Sequence, residues 1–416
     1  MDRPITTILI GAGQRGRIYA SYALDNPNEM RVVGVAEPIE GLRRETVGKY
    51  DIPAENVFST WEDVFAREKF ADAVMICTQD KMHYAPAMAA IERSYDILLE
   101  KPISPEPSEC AAIAGAAEKR GVKVVVCHVL RYTPFFSALK NIIDSGEIGE
   151  VVSVVHNENV GDFHHAHSFV RGNWRSRAES SPMILAKSCH DTDIIQWLIG
   201  KKCLRLSSFG SLKYFNRANC PPDAPTRCLD GCPHTSECPY DARKLYLGDD
   251  ANMWFREAAA NCVNPSVAQI ETALKTGPYG RCVFQCDNDV VDHQTVNMEF
   301  EDGITAVFSM CSFTPEISRT IKIMGTKGQI RGAIEMNNIE VTDFLTRKTR
   351  TISTAHTGGH VGHGGGDGGL MKAFSAYVGG GEVGSEISTA RVSAENHMIS
   401  FAAEESRLNG GKVVEL

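Results

Sequence analysis

A glycine-rich loop near the start of the chain is the first group of residues with the types and spacing to do chemistry. Residues 11–16 have the pattern G-x-G-x-x-G, and they follow an apolar run and precede a helical pattern. In that context, backbone N–H groups and a helix N-terminus hold a pyrophosphate. The pattern predicts a dinucleotide site, and a glycine turn without a ligand is the alternative. The predicted binding residues are Gly11, Gly13, Gln14, Arg15 and Gly16.

Glu37 ends the second apolar run. It lies about 20 residues beyond the glycine loop, where a carboxylate accepts hydrogen bonds from the adenosine ribose. The same carboxylate repels the 2′-phosphate of NADP. We therefore expect NAD as the cofactor, while Arg43 and Arg44 just beyond Glu37 leave NADP as the alternative.

Four cysteines at residues 220–238 have the spacing C-x7-C-x3-C-x5-C and alternate with prolines. Thiolates on short, proline-stiffened loops can converge on a zinc ion or an iron–sulfur cluster. Because the spacing is neither that of a zinc ribbon nor that of a ferredoxin, free thiols or disulfides remain alternatives. Four thiolates would leave no open coordination position, so a bound zinc would be structural. The predicted ligands are Cys220, Cys228, Cys232 and Cys238, with Cys262, Cys282 and Cys286 as further candidates.

Two histidine groups lie where a substrate pocket could form. They comprise His164, His165 and His167, and then His356, His360 and His363 in a Gly-rich loop that ends at Asp367. Glycine lets the backbone approach a ligand closely, and a carboxylate such as Asp367 binds sugar hydroxyls. The alternative is a surface loop with solvated histidines. A catalytic metal at these histidines is disfavoured, because no i, i+4 pair on a helix accompanies them.

The elements that must position these residues fall into two parts. Up to residue 129, apolar runs at residues 7–10, 32–36, 73–77, 96–99 and 122–127 alternate with amphipathic helical patterns. This rhythm is typical of β-α-β units that build a parallel sheet. Beyond residue 130, β-rich segments joined by Gly turns predict an open, largely antiparallel sheet. The predicted class is α/β, with a doubly wound Rossmann domain over residues 1–129 and an α+β domain over residues 130–416 that carries a Cys-rich insertion at about 219–286.

Composition excludes several classes of protein. A formal net charge of −9 argues against nucleic-acid binding, because affinity for a phosphate backbone comes from clustered Lys and Arg. The N-terminal apolar run is too short for a secretory signal, and no stretch reaches the roughly 18 to 20 apolar residues of a membrane span. Thirteen cysteines without an export signal favour free thiols over a disulfide framework. We expect a cytoplasmic protein that binds neither membranes nor nucleic acid.

The segment Glu100-Lys101-Pro102 resembles a motif of a known family. Together with the glycine loop, residues 131–134 (R-Y-T-P) and residues 173–175 (N-W-R), it is similar to the Gfo/Idh/MocA oxidoreductases, named after glucose–fructose oxidoreductase, inositol dehydrogenase and rhizopine catabolism. The resemblance implies a two-domain architecture, a nicotinamide cofactor, and chemistry at a carbinol carbon of a sugar, cyclitol or small carbonyl compound. It also implies a catalytic role for Lys101. The cofactor-side residues that it implies are Thr78, Gln79, His83, Glu100 and Lys101.

Lys101 suits hydride transfer, which needs a group to take or give the hydroxyl proton. Desolvation and a nearby cationic nicotinamide favour the neutral form of a lysine, which is a base. The family's second motif is an Asp, three residues and then a His; here His190 matches, but Ala186 replaces the Asp. The departure removes a carboxylate and leaves Lys187 as a second cation, so that Lys101, His190 and Lys187 are the catalytic candidates. For His190, a purely structural role is the alternative.

The predicted activity is NAD(P)-dependent hydride transfer at a hydroxyl or carbonyl carbon of a sugar, cyclitol or glycoside. One alternative is a glycosidase or lyase that keeps NAD bound and works by transient oxidation at C3 and elimination. The other is a non-catalytic nucleotide sensor, which the Ala at position 186 favours. We expect a small carbohydrate as the partner and a homo-dimer or homo-tetramer as the assembly. The predicted substrate-binding residues are His167, Arg171, Trp174, Arg175 and Asp367.

Overall fold

The chain is built on two sheets, of which the first holds six parallel strands. The computed structural model describes residues 3–355, 362–382 and 384–416. The strands of this sheet are β1 (Ile5–Ile10), β2 (Met30–Ala36), β3 (Val57–Phe58), β4 (Ala73–Ile76), β5 (Asp96–Leu99) and β6 (Val124–Val126). Their order, β3-β2-β1-β4-β5-β6, is that of a doubly wound dinucleotide-binding fold. The predicted α/β class and Rossmann-type sheet are confirmed.

Helices cover both faces of this parallel sheet. Successive side chains of a strand point to opposite faces, and in β1 Leu9 enters one apolar core while Ile8 and Ile10 enter the other. All three side chains are buried, as the continuous apolar runs of a parallel sheet require. The helices between the strands are α1 (Gln14–Asp25), α2 (Glu40–Tyr50), α3 (Trp61–Phe65), α4 (Tyr84–Glu92) and α5 (Pro107–Arg120).

The second sheet has nine strands and confirms the expected open, mostly antiparallel arrangement. Its strands are β7 (Val151–Asn159), β8 (Cys203–Ser211), β9 (His293–Phe300), β10 (Thr305–Cys311), β11 (Ser318–Gly325), β12 (Gly328–Ala333), β13 (Asn338–Asp343), β14 (Thr349–Ser353) and β15 (Val414–Glu415). The order is β14-β13-β12-β11-β7-β10-β9-β8-β15, with β7 and β10 parallel. Phe308 and Met310 of β10 are buried while Val307 is 38% exposed, so one face meets the core and the other meets solvent.

The last two helices of the described chain return to the first sheet, although they follow most strands of the second sheet in sequence. The helices that follow β6 outside residues 219–286 are α6 (Pro134–Asp144), α7 (Asp162–His165), α8 (Met183–Ala186), α9 (Cys189–Ile199), α12 (Gly366–Val378) and α13 (Ala390–Leu408). Leu370 and Phe374 of α12 are buried in the core of the first sheet, and the Val126 N–H donates to the Ser388 carbonyl at 2.8 Å. Ile399 of α13 packs in the core of the second sheet. The C-terminal segment therefore completes the nucleotide-binding half.

The insertion at residues 219–286 has an apolar core of its own. Its helices are α10 (Met253–Ala260) and α11 (Val267–Thr276). A capping box of Ser266 and Gln269 begins α11, which satisfies amide groups at the helix start. Phe255 of α10 packs with Tyr246 in this core and contacts the π-helical turn Ala166–Arg171 through His167. None of the helices in the described ranges combines the length and apolar character needed to cross a bilayer.

A buried ion pair joins the turn after β6 to α9. Arg131 is 2% exposed, and its Nε and Nη2 donate to Oδ2 and Oδ1 of Asp193 at 2.7 and 2.6 Å. Burial opposes ionisation of Asp193, but Arg131 outweighs it and holds the pKa of Asp193 below its usual range. Asn396 of α13 also donates to Asp193. This pair therefore connects three elements at the junction of the two sheets.

We predict that Arg131→Met lowers the free energy of unfolding by about 3–5 kcal/mol, because Asp193 would keep a buried charge without its partner. Chemical denaturation measures the change. Arg391→Met is the matched control, since Arg391 and Glu118 form an ion pair with side chains that are 48% and 54% exposed, and solvent screens such pairs. Similar losses in the two variants would contradict the prediction.

Candidate active site

The glycine loop between β1 and α1 has the shape of a dinucleotide cradle. Gly11 has a φ of +88°, and a Cβ at this residue would lie 2.7 Å from the Cys77 carbonyl oxygen. A Cβ at Gly16 would lie 2.2 Å from the Gly11 carbonyl oxygen, whereas a Cβ at Gly13 would meet no described atom within 4 Å. The first glycine thus makes the tight turn, the third allows close helix packing, and the second leaves open space for a pyrophosphate.

Glu37 lies at the end of β2 beside this loop. Its Oε2 accepts the Ala12 N–H at 2.7 Å and its Oε1 accepts the Ile39 N–H at 2.9 Å. Each carboxylate oxygen has a second lone pair, which is available to ribose hydroxyls. The Arg43 guanidinium donates to the backbone carbonyls of Glu37 and Pro38. The loop and the carboxylate fit NAD, and they would hold its pyrophosphate and its adenosine ribose.

Arg15 connects the glycine loop to the segment that carries Lys101. Its Nε donates to Glu100 at 3.0 Å, and its Nη2 donates to Asp367 at 2.6 Å. His363 Nδ1 is 3.2 Å from both oxygens of Asp367. Burial opposes ionisation of Asp367, but His363 and Arg15 outweigh it and hold its pKa below the usual range. Asp367, which we predicted to bind sugar, is therefore already ion-paired, and its contact with substrate stays a prediction.

Lys101 and His190 come together at the junction of the two domains. Lys101 follows β5, and its Nζ donates to the Ala186 carbonyl at 2.7 Å. His190 lies in the first turn of α9, 5.8 Å from the ring of His128 and 6.2 Å from that of His363. Burial lowers the pKa of His190 well below the histidine range, and its buried Nδ1 has no hydrogen-bond partner in the described structure. A neutral imidazole with one unsatisfied nitrogen is a site for a substrate hydroxyl.

Lys187 has a carboxylate partner that the sequence reasoning missed. Its Nζ is 3.7 Å from Glu158 Oε1, an oxygen that also accepts from Arg319 Nη2 at 2.6 Å. The Ser188 hydroxyl donates to Glu158 Oε2 at 2.7 Å. Burial lowers the pKa of Lys187 to about 8. The alternating pattern of β7 could have identified Glu158, because it places Glu158 and His156 on the buried face of that strand.

The remaining predicted cofactor-side residues lie in the loops that follow β4 and precede Lys101. His83 is buried between two carbonyl oxygens, that of Pro102 at 2.7 Å and that of Thr78 at 3.1 Å. The Thr78 hydroxyl donates to the Met82 carbonyl at 3.0 Å, and Gln79 is exposed. These contacts hold the ends of β4 and β5 together, which fixes the direction of Lys101.

The predicted substrate residues are divided between the cleft and the insertion. Trp174 Nε1 donates to Asp80 at 3.1 Å, near the end of β4. His167 instead bonds the Tyr246 hydroxyl at 2.9 Å, and Arg171 donates to the carbonyls of Arg281 and Tyr240 at 2.7 Å. The structure thus does not bring His167 and Arg171 to Lys101. The other predicted residue, Arg175, pairs with Asp287 and Glu179, and His356 and His360 lie outside the described residues.

The metal prediction for the cysteine cluster is not supported. In the parts of the chain that the structure describes, no group of three or more His, Cys, Asp or Glu side chains is arranged to hold a metal ion. Burial raises the pKa of the Cys282 thiol to about 12 and that of Cys238 above its usual value, which favours the protonated thiol. The predicted ligands Cys220, Cys228, Cys232 and Cys238 are free thiols, and all of them except Cys232 pack among apolar side chains.

Comparison with known proteins decides the family. The profile described as "Oxidoreductase family, NAD-binding Rossmann fold" matches residues 5–128, and the profile described as "Oxidoreductase family, C-terminal alpha/beta domain" matches residues 140–364. The chain belongs to the Gfo/Idh/MocA oxidoreductase family. The resemblance expected from the Glu-Lys-Pro segment is confirmed, and this family member is an NAD-binding oxidoreductase.

Named relatives include a cyclitol enzyme. The Bacillus subtilis protein YteT is 26% identical over 319 residues, which are 73% of this chain and 72% of YteT. Inositol 2-dehydrogenase of Salmonella typhimurium is 26% identical over 194 residues, 46% of this chain and 54% of that protein. The structure of levoglucosan dehydrogenase in complex with NADH and levoglucosan superposes with a TM-score of 0.72 at 18% identity, covering 100% of this chain and 99% of the other. At that identity the superposition shows the fold.

We predict that Glu37 sets the preference of this family member for NAD. Glu37→Ser should shift the ratio of the NADP and NAD dissociation constants toward NADP by about 10- to 100-fold, because it removes the charge that repels a 2′-phosphate. Binding titrations with both nucleotides measure the ratio. Glu40→Ser, at a side chain that is 79% exposed, is the control and should leave the ratio unchanged. A wild-type protein that already prefers NADP would refute the assignment.

We predict a pH-dependent effect of Lys187. Its side chain is charged below about pH 8 and neutral above it. Below that pH its positive charge disfavours a second cation beside it in the cleft and favours loss of the hydroxyl proton from a bound alcohol. Lys187→Met should therefore lower kcat/KM by about three- to tenfold at pH 7 and much less at pH 9.

The pH profiles of wild type and Lys187→Met, recorded with a polyol that the wild type oxidises, test this dependence. Lys119→Met, at an exposed position of α5, is the control for loss of a lysine charge elsewhere. Superimposable profiles for wild type and Lys187→Met would show that Lys187 does not act on the reaction.

Proposed function

We propose that this chain oxidises a secondary hydroxyl of a sugar or cyclitol with NAD, or reduces the corresponding carbonyl. The proposal is supported by the position of the Lys101 ammonium, which is 2.7 Å from the Ala186 carbonyl and whose charge, after burial, helps to lower the pKa of the nearby His190, a ring with an unsatisfied Nδ1. This arrangement leaves a proton-transfer group and a hydrogen-bonding group together at the carboxyl end of a parallel sheet. In open α/β sheets, that edge is where ligands bind.

The proton steps follow from the chemistry of the two side chains. As the carbinol C–H bond breaks, neutral Lys101 takes the proton of the hydroxyl group and becomes an ammonium. The Ala186 carbonyl accepts a hydrogen bond from that ammonium, which stabilises the charge as it forms. His190 stays neutral and bonds a substrate hydroxyl. Bound NAD supplies the hydride acceptor, so the product is a ketone or a lactone.

The substrate class rests on complementary groups in the cleft. His190 offers a neutral nitrogen, Lys101 and Lys187 offer donors, and Trp174 lies close to the end of β4. Sugars and cyclitols present several hydroxyls around an apolar ring, which such a mixture of polar and aromatic side chains recognises. Among the relatives, the inositol 2-dehydrogenases are named for a cyclitol substrate.

A panel of polyols and glycosides tests the proposal. Purified protein is incubated with NAD and each compound, and NADH absorbance and released aglycone are followed together. The proposal expects NADH to form in step with oxidised product for at least one sugar or cyclitol. Aglycone release without net NADH would instead indicate the redox-neutral glycosidase alternative, and no turnover of any compound would overturn the proposal.

We predict that Lys101→Ala lowers kcat by about two to four orders of magnitude, because it removes the proton acceptor. NAD binding should persist, since it depends on the glycine loop and Glu37. His190→Ala should lower kcat by a smaller factor. The double variant should lower kcat by less than the product of the two single factors, because both side chains serve one proton transfer. Lys119→Ala is the control. A Lys101→Ala protein that retains wild-type kcat would remove Lys101 from the mechanism.

A further inference from the structure

The insertion reaches across to the nucleotide-binding domain. Gln14 of the glycine loop donates from Nε2 to the Trp254 carbonyl at 2.5 Å. One turn further along α1, Arg17 Nη2 is 2.7 Å from Glu257 Oε2, and both side chains are only 16% exposed. Trp254 and Glu257 are in α10, so this helix of the insertion lies directly against the start of the helix that follows the glycine loop.

The indole of Trp254 packs against histidines of the second domain. Its ring is 5.3 Å from that of His164 and 5.4 Å from that of His167, at interplanar angles of 68° and 66°. The next residue, Phe255, stacks on His167 at 4.0 Å and 12° and is 2% exposed. Phe255 anchors the helix, and Trp254 itself stays only half-buried.

The surroundings of Trp254 lead to the cleft between the domains. The ring of His164 is 5.8 Å from that of Phe169, which in turn is 6.1 Å from the ring of Trp174. Trp174 donates to Asp80 near the end of β4. The backbone of Trp254 thus contacts the glycine loop, and its ring begins a run of aromatic side chains that ends beside the carboxyl ends of the parallel strands.

His164 supplies a polar group next to the indole. Its Nδ1 is 3.3 Å from the Val160 carbonyl oxygen, which can only accept a hydrogen bond. Burial keeps the pKa of His164 well below the histidine range, so the ring is neutral. With the proton on Nδ1, Nε2 is left as an acceptor. An apolar indole beside a hydrogen-bond acceptor matches a ring that has a C–H face and hydroxyl edges.

We propose that Trp254, supplied by the Cys-rich insertion, is a specificity-determining residue whose indole packs on the ring of the sugar or cyclitol. The inference rests on the proposed function and extends it to the insertion. Tryptophan provides a large, rigid apolar surface with a polar edge. A fixed indole at this position limits how far the substrate can extend toward α10, and it therefore selects compact substrates over bulky glycosides.

The test compares a monosaccharide or cyclitol oxidised by the wild type with a glycoside of it that carries a bulky aglycone. Trp254→Ala should raise KM for the compact substrate by about tenfold or more, with a much smaller change in kcat. It should also raise kcat/KM for the bulky glycoside relative to that for the compact substrate. Trp254→Phe, which keeps an aromatic face, should be intermediate in both readouts.

NADH binding and thermal stability serve as checks that the site is intact. NADH affinity should be nearly unchanged, because Gln14 contacts the backbone of Trp254 rather than its indole. Met253→Ala is the matched control, since Met253 is the preceding residue of α10 and is 43% exposed. If Trp254→Ala unfolds or loses NADH binding, the KM and the selectivity of Trp254→Phe test the role of the indole instead.

The outcomes separate the inference from the proposed function. One outcome would overturn the role of Trp254 and leave the proposed function standing. In that outcome the wild type produces NADH, but Trp254→Ala has the KM and the selectivity of the wild type. If Trp254→Ala does not fold, the same result for Trp254→Phe has the same meaning. A wild type that forms no NADH with any compound of the panel would overturn both. Altered selectivity in the Trp254 variants and wild-type behaviour in Met253→Ala would support the inference.

Discussion

The hydrogen bond from Lys101 to the Ala186 carbonyl is the contact on which the geometry of the site depends, because it joins the two domains at the lysine that we propose as the proton acceptor. Ala186 is the last residue of α8, and the final carbonyls of a helix have no partner within it. A backbone oxygen is therefore free to accept from the ammonium. Replacing the family's Asp by Ala at position 186 removes a side-chain carboxylate but leaves this acceptor in place.

Charge pairing behind the site makes the burial of Lys187 possible. Arg319 bonds both Glu158 and Asp191, and His156 bonds Asp191 at 2.7 Å. Burial and the neighbouring Asp191 raise the pKa of Glu158. Each of these groups would be costly to bury alone, and the ion pairs offset that cost. The network links β7 and β11 to the start of α9, so the same contacts that hold the second domain together also set the electrostatics beside Lys101.

The sequence predicted most of what local patterns encode. Spacing and apolar periodicity predict the glycine loop, Glu37 and the five longer parallel strands. They do not predict β3, because a strand of two residues is too short to show an alternating pattern. The site was harder to predict, because only tertiary packing brings Glu158 to Lys187 and Trp254 to the glycine loop. The cysteine spacing was misleading for the same reason: it gives the density of thiols but not the direction of their side chains. Family resemblance placed Lys101 and His190, where residue types alone left a structural role open.

The return of α12 to the first sheet affects how the chain acquires its structure during synthesis. Val126 N–H bonds Ser388, and Leu370 and Phe374 fill the core of the nucleotide-binding half. When the ribosome has made only the first six strands, that core still lacks apolar side chains encoded about 240 residues later. Domains commonly fold as units while the N-terminus emerges first. Here the N-terminal domain must stay unfinished, with an apolar surface open to solvent, until residues 366–388 have emerged.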